Sequence, residues 1–494
     1  MPDERIDSEP IEIPPLTGIY AEPFSLGKLV RLAGFFGPAA VITSLSLGAG
    51  ETIMVTGLGA WSEFDLLWLL LLSVIVKGVF VTYLVGRYTA ITGEKIGNRL
   101  AKLRGPRGWI LLAVVVVEVC LLSTGLTAVA KPCGNLIAFL SADHLGGTLD
   151  FDTWQNIFTS LLLGAALSLS IFTSFEKLQT QQIVICGVIV AGTIVATLMV
   201  RPDYGRLLMG AVSFGHLPDV PAWGPTAAKT AYVLNLVTIF GYIGGSLSGH
   251  LVYSSWISRN GWGINSHPDI AAIRKRAERR IDYLPDDAAQ ARRLHVLLSP
   301  LRWDIGMGAI VLAVVTAAFL AAGATVLYPR EQPIGDNAWE LLTKQASIWR
   351  QIHSALVPVY YVAVVAALWG TLASIPEAIS QMVHDFLSAI WPRFEEVSVD
   401  RVKTAIALWF FGTSMVWTWT GVSFTLLTAL GAFFSLSLLL SVVFACVLYF
   451  NVTLPKRYRP QWWVTIGGVI SAVVLFICAV GGAMGLYDVF VARL

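Results

Sequence analysis

Residues 44–57 read SLSLGAGETIMVTG, three glycines and the carboxylate Glu51 inside a run apolar enough to cross a membrane. Unwinding a helix in hydrocarbon strands its amides and carbonyls, which is tolerated only where they line a cavity or are buried in protein. Glycine lets the backbone leave the helix and lets a ligand approach it. Gly48, Ala49 and Gly50 are therefore expected to form a break. Glu51 would then face a cavity from the positive N-terminal end of the second half-helix. The competing reading is a packing helix whose small residues sit against a neighbour. The mid-span carboxylate favours a site.

Outward from this stretch the chain stays apolar. Hydrophobic residues make up 55% of its 494 residues and charged ones 13%, against about 25% in ordinary soluble domains. Stretches of about 20 residues suggest about eleven transmembrane helices. They lie near 32–60, 64–92, 108–131, 154–175, 180–200, 228–257, 304–327, 356–384, 402–420, 423–450 and 462–490. The leader MPDERIDSEPIEIPPLTG lacks an apolar core, so no cleaved signal is expected and residues 1–30 read as a short cytoplasmic tail. The five cysteines lie in apolar runs at unrelated spacings, which argues against disulfide or thiolate-metal frameworks.

Lys and Arg cluster in GEKIGNRLAKLRGPRG (93–108), in the loop 258–303 with its IRKRAERR, and in LPKRYRP (454–460). Loops with WSEFD, SADHLGGTLDFD and TWTG carry none. By the positive-inside rule the N-terminus is cytoplasmic and the C-terminus extracytoplasmic, in a multi-pass integral protein of the plasma or inner membrane. The basic loop 258–303 is expected to be a solvated segment near anionic lipid.

The sixth span, IFGYIGGSLSGHLVYSSW, repeats the glycine interruption at Gly241, Gly244, Gly245 and Gly249. Two interrupted helices five apart fit a transporter of two inverted repeats whose broken helices meet at the midplane.

The order of features resembles the Nramp (natural resistance-associated macrophage protein) family of divalent-metal transporters. GPAAVITSLSLGAGE is similar to that family's first helix, and LLWLLLLSVIVKGVFVTYLVGRYTAITGE to its second. RPDYGRLLMGAVSFGHLPD is similar to its fifth-to-sixth loop, and HLVYSSWISRN to the end of its sixth helix. The resemblance implies an all-α LeuT-type fold of five plus five inverted helices with one extra. Residues 31–201 and 228–450 would be the repeats, and 462–490 the extra helix.

The expected site departs from the family's. The family's Asp-Pro-Gly-Asn becomes Gly48-Ala49-Gly50-Glu51, and its Met-Pro-His-Asn becomes Ser246-Leu247-Ser248-Gly249. Carboxylate and hydroxyl oxygens suit Mg²⁺ or Ca²⁺, whereas methionine sulfur suits softer ions. Glu51 and Ser246 are the candidate metal ligands, with Gly245, Ser248 and Gly249 beside them. The third helix keeps Glu118, but the family's following Asp and Glu fall on Gly125 and Ala128, and its helix-six His on Tyr253. Proton coupling of the family's kind is not expected.

Lys77 lies too deep in its span to snorkel. It reads as a structural partner of Glu51 or Glu118, as a tethered cation replacing a coupling ion, or as a contact for an anionic substrate group. Thr43, Ser44 and Ser46 could offer oxygens or bond back to their own helix. His250 reads as a core hydrogen-bonding residue. Glu377, after Pro376, marks a bend or lies solvated at the cytoplasmic edge with Gln381. The cargo is a small solute, a divalent cation or alternatively an organic cation or zwitterion. The GAGE motif superficially resembles GxGD proteases, but no paired mid-span Asp supports an enzyme. No cofactor or nucleic-acid partner is expected.

Overall fold

Polar caps mark where the chain enters and leaves the apolar spans. The computed structural model describes residues 10–23, 25–39, 43, 50–144, 149–173, 175–331 and 338–491. Among these there is no β-strand. After the short helix α1 (Leu26–Ala33), the second half of the first span begins with a wide π-turn at Gly50–Val55 and continues as α2 (Thr56–Ser62). The next helices are α3 (Leu67–Thr92), α4 (Trp109–Leu140), α5 (Phe151–Phe172) and α6 (Phe175–Val200). The sixth span is split into α7 (Tyr232–Tyr242) and α8 (Leu247–Arg259). Then come α9 (Ser299–Ala322), α10 (Ala338–Ile352), α11 (Leu356–Ile390), α12 (Val399–Trp419), α13 (Phe424–Val452) and α14 (Trp462–Val491).

Several helices start on a side chain that accepts an otherwise unpaired amide, among them Asp150 from Thr153 (3.2 Å), Ser398 from Arg401 (3.4 Å) and Ser423 from Leu426 (3.3 Å). Trp109, Trp391, Trp419 and Trp462 stand exposed at helix ends, where indoles favour the membrane interface. Lipid tails give helices no hydrophobic reason to associate, so close packing and hydrogen bonds must do it. The crossing of α2 with the end of α9 is a close example. A Cβ on Gly59 would lie 2.2 Å from the Leu320 carbonyl oxygen, and one on Gly323 would lie 2.2 Å from that of Thr56. Helix α4 packs against α5, α11, α12 and α13, and α14 lies across α3, α7 and α13.

Two expectations are corrected. The basic loop 258–303 is not a solvated strand of chain: Ile273, Tyr283, Leu284 and Leu294 are buried, and Arg276 pairs with Asp282 (2.9 Å) under the Tyr283 ring. The Tyr283 hydroxyl donates to the Thr92 carbonyl at the end of α3, and burial pushes its phenol well up, so it stays a donor. The leader packs there too, with Ile11 donating to the Tyr283 carbonyl (2.9 Å) and Ile13 to Gln290 (2.7 Å). Glu377 is likewise not solvated. It is buried against Lys403 of α12 (3.1 Å), with Gln381 buried one turn along an α11 that continues through Pro376.

Arg87 ties α3 to the far end of α13. Its guanidinium donates to Asn451 Oδ1 (3.0 Å) and to the Tyr458 carbonyl (2.6 Å), while Asn451 Nδ2 donates to Leu84 (3.0 Å). Replacing Arg87 with Met orphans buried acceptors at about 1–3 kcal/mol each. We expect a clear fall in the thermal unfolding midpoint of detergent-purified protein. Arg31→Ala, which breaks an exposed pair with Glu22, should change stability by less than about 1 kcal/mol.

Candidate functional site

The break in the sixth span is built from sequence upward. Helix α7 ends at Tyr242; Ile243 is extended, and Gly244 (φ 87°) and Gly245 (φ 104°) take left-handed conformations that favour glycine. Ser246 restarts the helix, its hydroxyl accepting from Gly249 N (3.1 Å). The unwound residues are thus Ile243–Ser246, three residues earlier than the aligned motif Ser246–Gly249 suggests.

The carbonyls that α7 loses are taken up by α3. Ser73 Oγ shares its hydrogen between Phe240 O (2.8 Å) and Ile243 O (2.9 Å). Lys77 Nζ donates to Gly241 O and lies 5.5 Å from the Phe240 ring centre. A fully buried ammonium at the negative end of a helix is favourably placed. No ion pair joins Lys77 to Glu118 among the described residues, which corrects that alternative.

The described second half of the first span meets this break. A Cβ on Gly50 would come 3.2 Å from the Tyr242 carbonyl oxygen. Between them lies a cavity of about 100 Å³, lined at the breaks by Gly50, Tyr242, Gly245, Ser246 and Ser248. Helix α4 adds Leu121, Leu122, Gly125 and Val129; α11 adds Thr371 and Ile375; α13 adds Gly431 and Ser435. Its polar atoms are chiefly hydroxyls. Ser246 Oγ and Ser248 Oγ lie 3.1 Å apart. Behind Ser435 and Ser248 is Glu118, fully buried: Ser435 donates to Oε1, Ser248 adjoins the carboxyl, and Oε2 has no hydrogen-bond partner among the described residues.

The remaining candidates fall as follows. Gly48, Ala49, Ser44 and Ser46 lie outside the described residues, as does the Glu51 side chain; the Glu51 backbone is in the π-turn. Thr43 is buried against Gly308 of α9. His250 Nδ1 lies 3.0 Å from Thr82 Oγ1, a core hydrogen bond as expected. Tyr253 does not reach the cavity; it donates to Asp304 Oδ2 (2.8 Å). Among the described residues no group of three or more His, Cys, Asp or Glu side chains could hold a metal ion.

Asp304 escaped the sequence reading. It is buried at the start of α9, and its two oxygens accept from the amides of Gly37 and Ala39 (both 2.9 Å), at the start of the first span. The signal was its place in SPLRWDIG, where an acid stands beside the apolar run. In the π-turn of the first span, Gln345 of α10 donates to the Thr52 carbonyl (2.6 Å), and Tyr360 donates to Gln345 (2.9 Å).

A family model described as natural resistance-associated macrophage protein-like (Nramp) matches residues 39–484. No curated protein matches the chain. Among solved structures, a histidine-to-alanine variant of the Eremococcus coleocola manganese transporter is similar at 12% identity and TM-score 0.61, covering 93% of this chain and 87% of that one. The same transporter in complex with an aromatic bis-isothiourea substituted compound matches at 13% identity and TM-score 0.61, covering 95% and 90%. At such identity the likeness speaks for the fold alone.

The break makes its own prediction. Gly244→Ala forces a left-handed residue at about 1–2 kcal/mol and brings a Cβ 3.0 Å from the Ser73 carbonyl oxygen. Lys77→Met leaves the Gly241 carbonyl without its ammonium. Both should lower the thermal midpoint of purified protein; an unchanged midpoint for Lys77→Met would mean that the lysine does not hold the break.

Proposed function

This chain belongs to the Nramp family and has its all-α, LeuT-type inverted-repeat fold, and from that premise we propose that it is a secondary transporter carrying a divalent cation by alternating access. The observation that carries the reading is the cavity where Gly50 of the first span faces the break in the sixth, its polar lining made of hydroxyls and glycine backbone rather than sulfur or imidazole. The manganese cargo of the structurally similar transporter supports a divalent ion. The proposed ligands are Glu51 and Ser246, with Gly48, Ala49, Gly50, Gly245, Ser248 and Gly249 shaping the site.

Oxygen donors suit a hard ion, and about 100 Å³ holds several waters. Mg²⁺ sheds its waters reluctantly and is bound with some retained. A hydrated, Mg-like ion therefore fits better than a bare transition metal. Lys77 supports transport without the family's usual proton coupling, because its fixed charge already sits at the carbonyl end of α7, where a coupling cation would be attracted. Residues 31–201 and 228–450 are assigned to the two repeats, with the N-terminus cytoplasmic and the C-terminus outside.

A second reading, a small organic cation, is favoured by the leucine, isoleucine and valine side chains on the cavity wall. A zwitterion held through Lys77 has less support, since that ammonium is engaged with Gly241.

Calorimetric titration with Mg²⁺, Mn²⁺ and Ca²⁺ separates these. We expect saturable Mg²⁺ binding, weakened at least about tenfold (about 1.4 kcal/mol) by Glu51→Ala and more modestly by Ser246→Ala. Folded protein that binds no divalent ion but takes up a small amine would replace the metal reading with the organic one. In proteoliposomes, cation uptake should not respond to an imposed pH gradient; a response would overturn uncoupled transport.

A further inference from the structure

A groove of about 640 Å³ opens where α3, α9 and the start of α14 meet, on the membrane face that carries the basic loops. Arg292, Arg302, Arg457 and Arg459 stand exposed along its rim, with half-buried His295 and the buried Arg87 also in its lining, drawn from α3, the folded loop before α9, α9 itself and the turn before α14. Among the described residues Arg87, Arg292, Arg302 and Arg459 have no ion pair, and Asp286, on Arg457 at 2.6 Å, is the one carboxylate paired at this rim. Their other hydrogen bonds go to neutral acceptors: Arg302 to the His295 carbonyl, and Arg459 to that of Leu454 (2.9 Å). Guanidinium groups that outnumber the acids beside them repel one another and leave donors open to an anion.

The other wall is apolar. Val79 and Phe80 of α3, Ile305 of α9 and Val464 of α14 line it. Gly467 lets Phe80 slide beneath α14, since a Cβ there would lie 2.1 Å from the ring. Trp463, in its lining, stands 53% exposed, and Ile466 and Ile470 of α14 and Ile310 of α9 are exposed along the same helices. The groove therefore straddles the interface between headgroups and hydrocarbon.

We propose that this groove binds an anionic phospholipid, its phosphate among Arg292, Arg302 and Arg459 and its acyl chains along Val79, Phe80, Ile305 and Val464. Basic pockets between spans on the cytoplasmic side suit such headgroups, and planar guanidinium forks match phosphate oxygens. The shape adds what charge alone would not supply, because a free phosphate would use only the rim.

The test is native mass spectrometry of the full chain in detergent, titrated with dioleoylphosphatidylglycerol, dioleoylphosphatidylcholine or inorganic phosphate. We expect phosphatidylglycerol to be retained at least tenfold better than phosphatidylcholine. The combined variant Arg292→Gln, Arg302→Gln and Arg459→Gln should lose that preference, and millimolar phosphate should fail to displace the lipid. Equal retention of the two lipids, or an unaltered preference in the variant, overturns the proposal. Displacement by phosphate would assign the rim to a free anion instead. Should the triple variant lose its monodisperse elution, Arg292→Gln alone serves, since that side chain is exposed and makes no hydrogen bond among the described residues. Its retention should fall several-fold, and no fall overturns the assignment.

Discussion

A helix cut open inside hydrocarbon needs partners for every carbonyl it frees, and here α3 supplies them. Ser73 and Lys77 take up Phe240, Gly241 and Ile243. An unpaired polar group at that depth costs several kcal/mol, so these two side chains decide where α7 stops. That fixes where Ser246 restarts the helix, and so where the cavity forms against Gly50. The lysine is part of the scaffold before it is part of any site.

Two buried carboxylates then divide the labour. Glu118 stands behind the cavity, one hydroxyl away from it through Ser435 and Ser248. Asp304 stands farther along the molecule and holds the amides at the start of the first span, with Tyr253 as its second donor. One carboxylate is set among hydroxyls, the other among main-chain donors. Neither has a basic side chain as partner among the described residues.

Much of this was legible in the residues. Apolar length marked the spans, and the glycines of IFGYIGGSLSGH marked the break, because hydrocarbon punishes both exposed backbone and broken helices. The partners were not legible. For Lys77 the sequence offers acidic side chains; the Glu51 side chain lies outside the described residues, and the hydrogen bond to the Gly241 carbonyl carries no letter in a sequence. Glu377 read as solvated because Lys403 lies on a different helix, and the loop 258–303 read as solvated because its burial comes from the leader and α3 folding over it. Asp304 sat beside the basic loop that masks it in any charge count.

The first helix is held through main-chain atoms at its start and beside Gly50. Gln345 grips the Thr52 carbonyl in the π-turn, and Asp304 grips the Gly37 and Ala39 amides at the start. A side-chain scan of that helix would therefore pass over both fastenings, since proline alone removes a backbone N–H and no substitution removes a carbonyl. The levers on the first helix lie outside it, in side chains of α9 and α10.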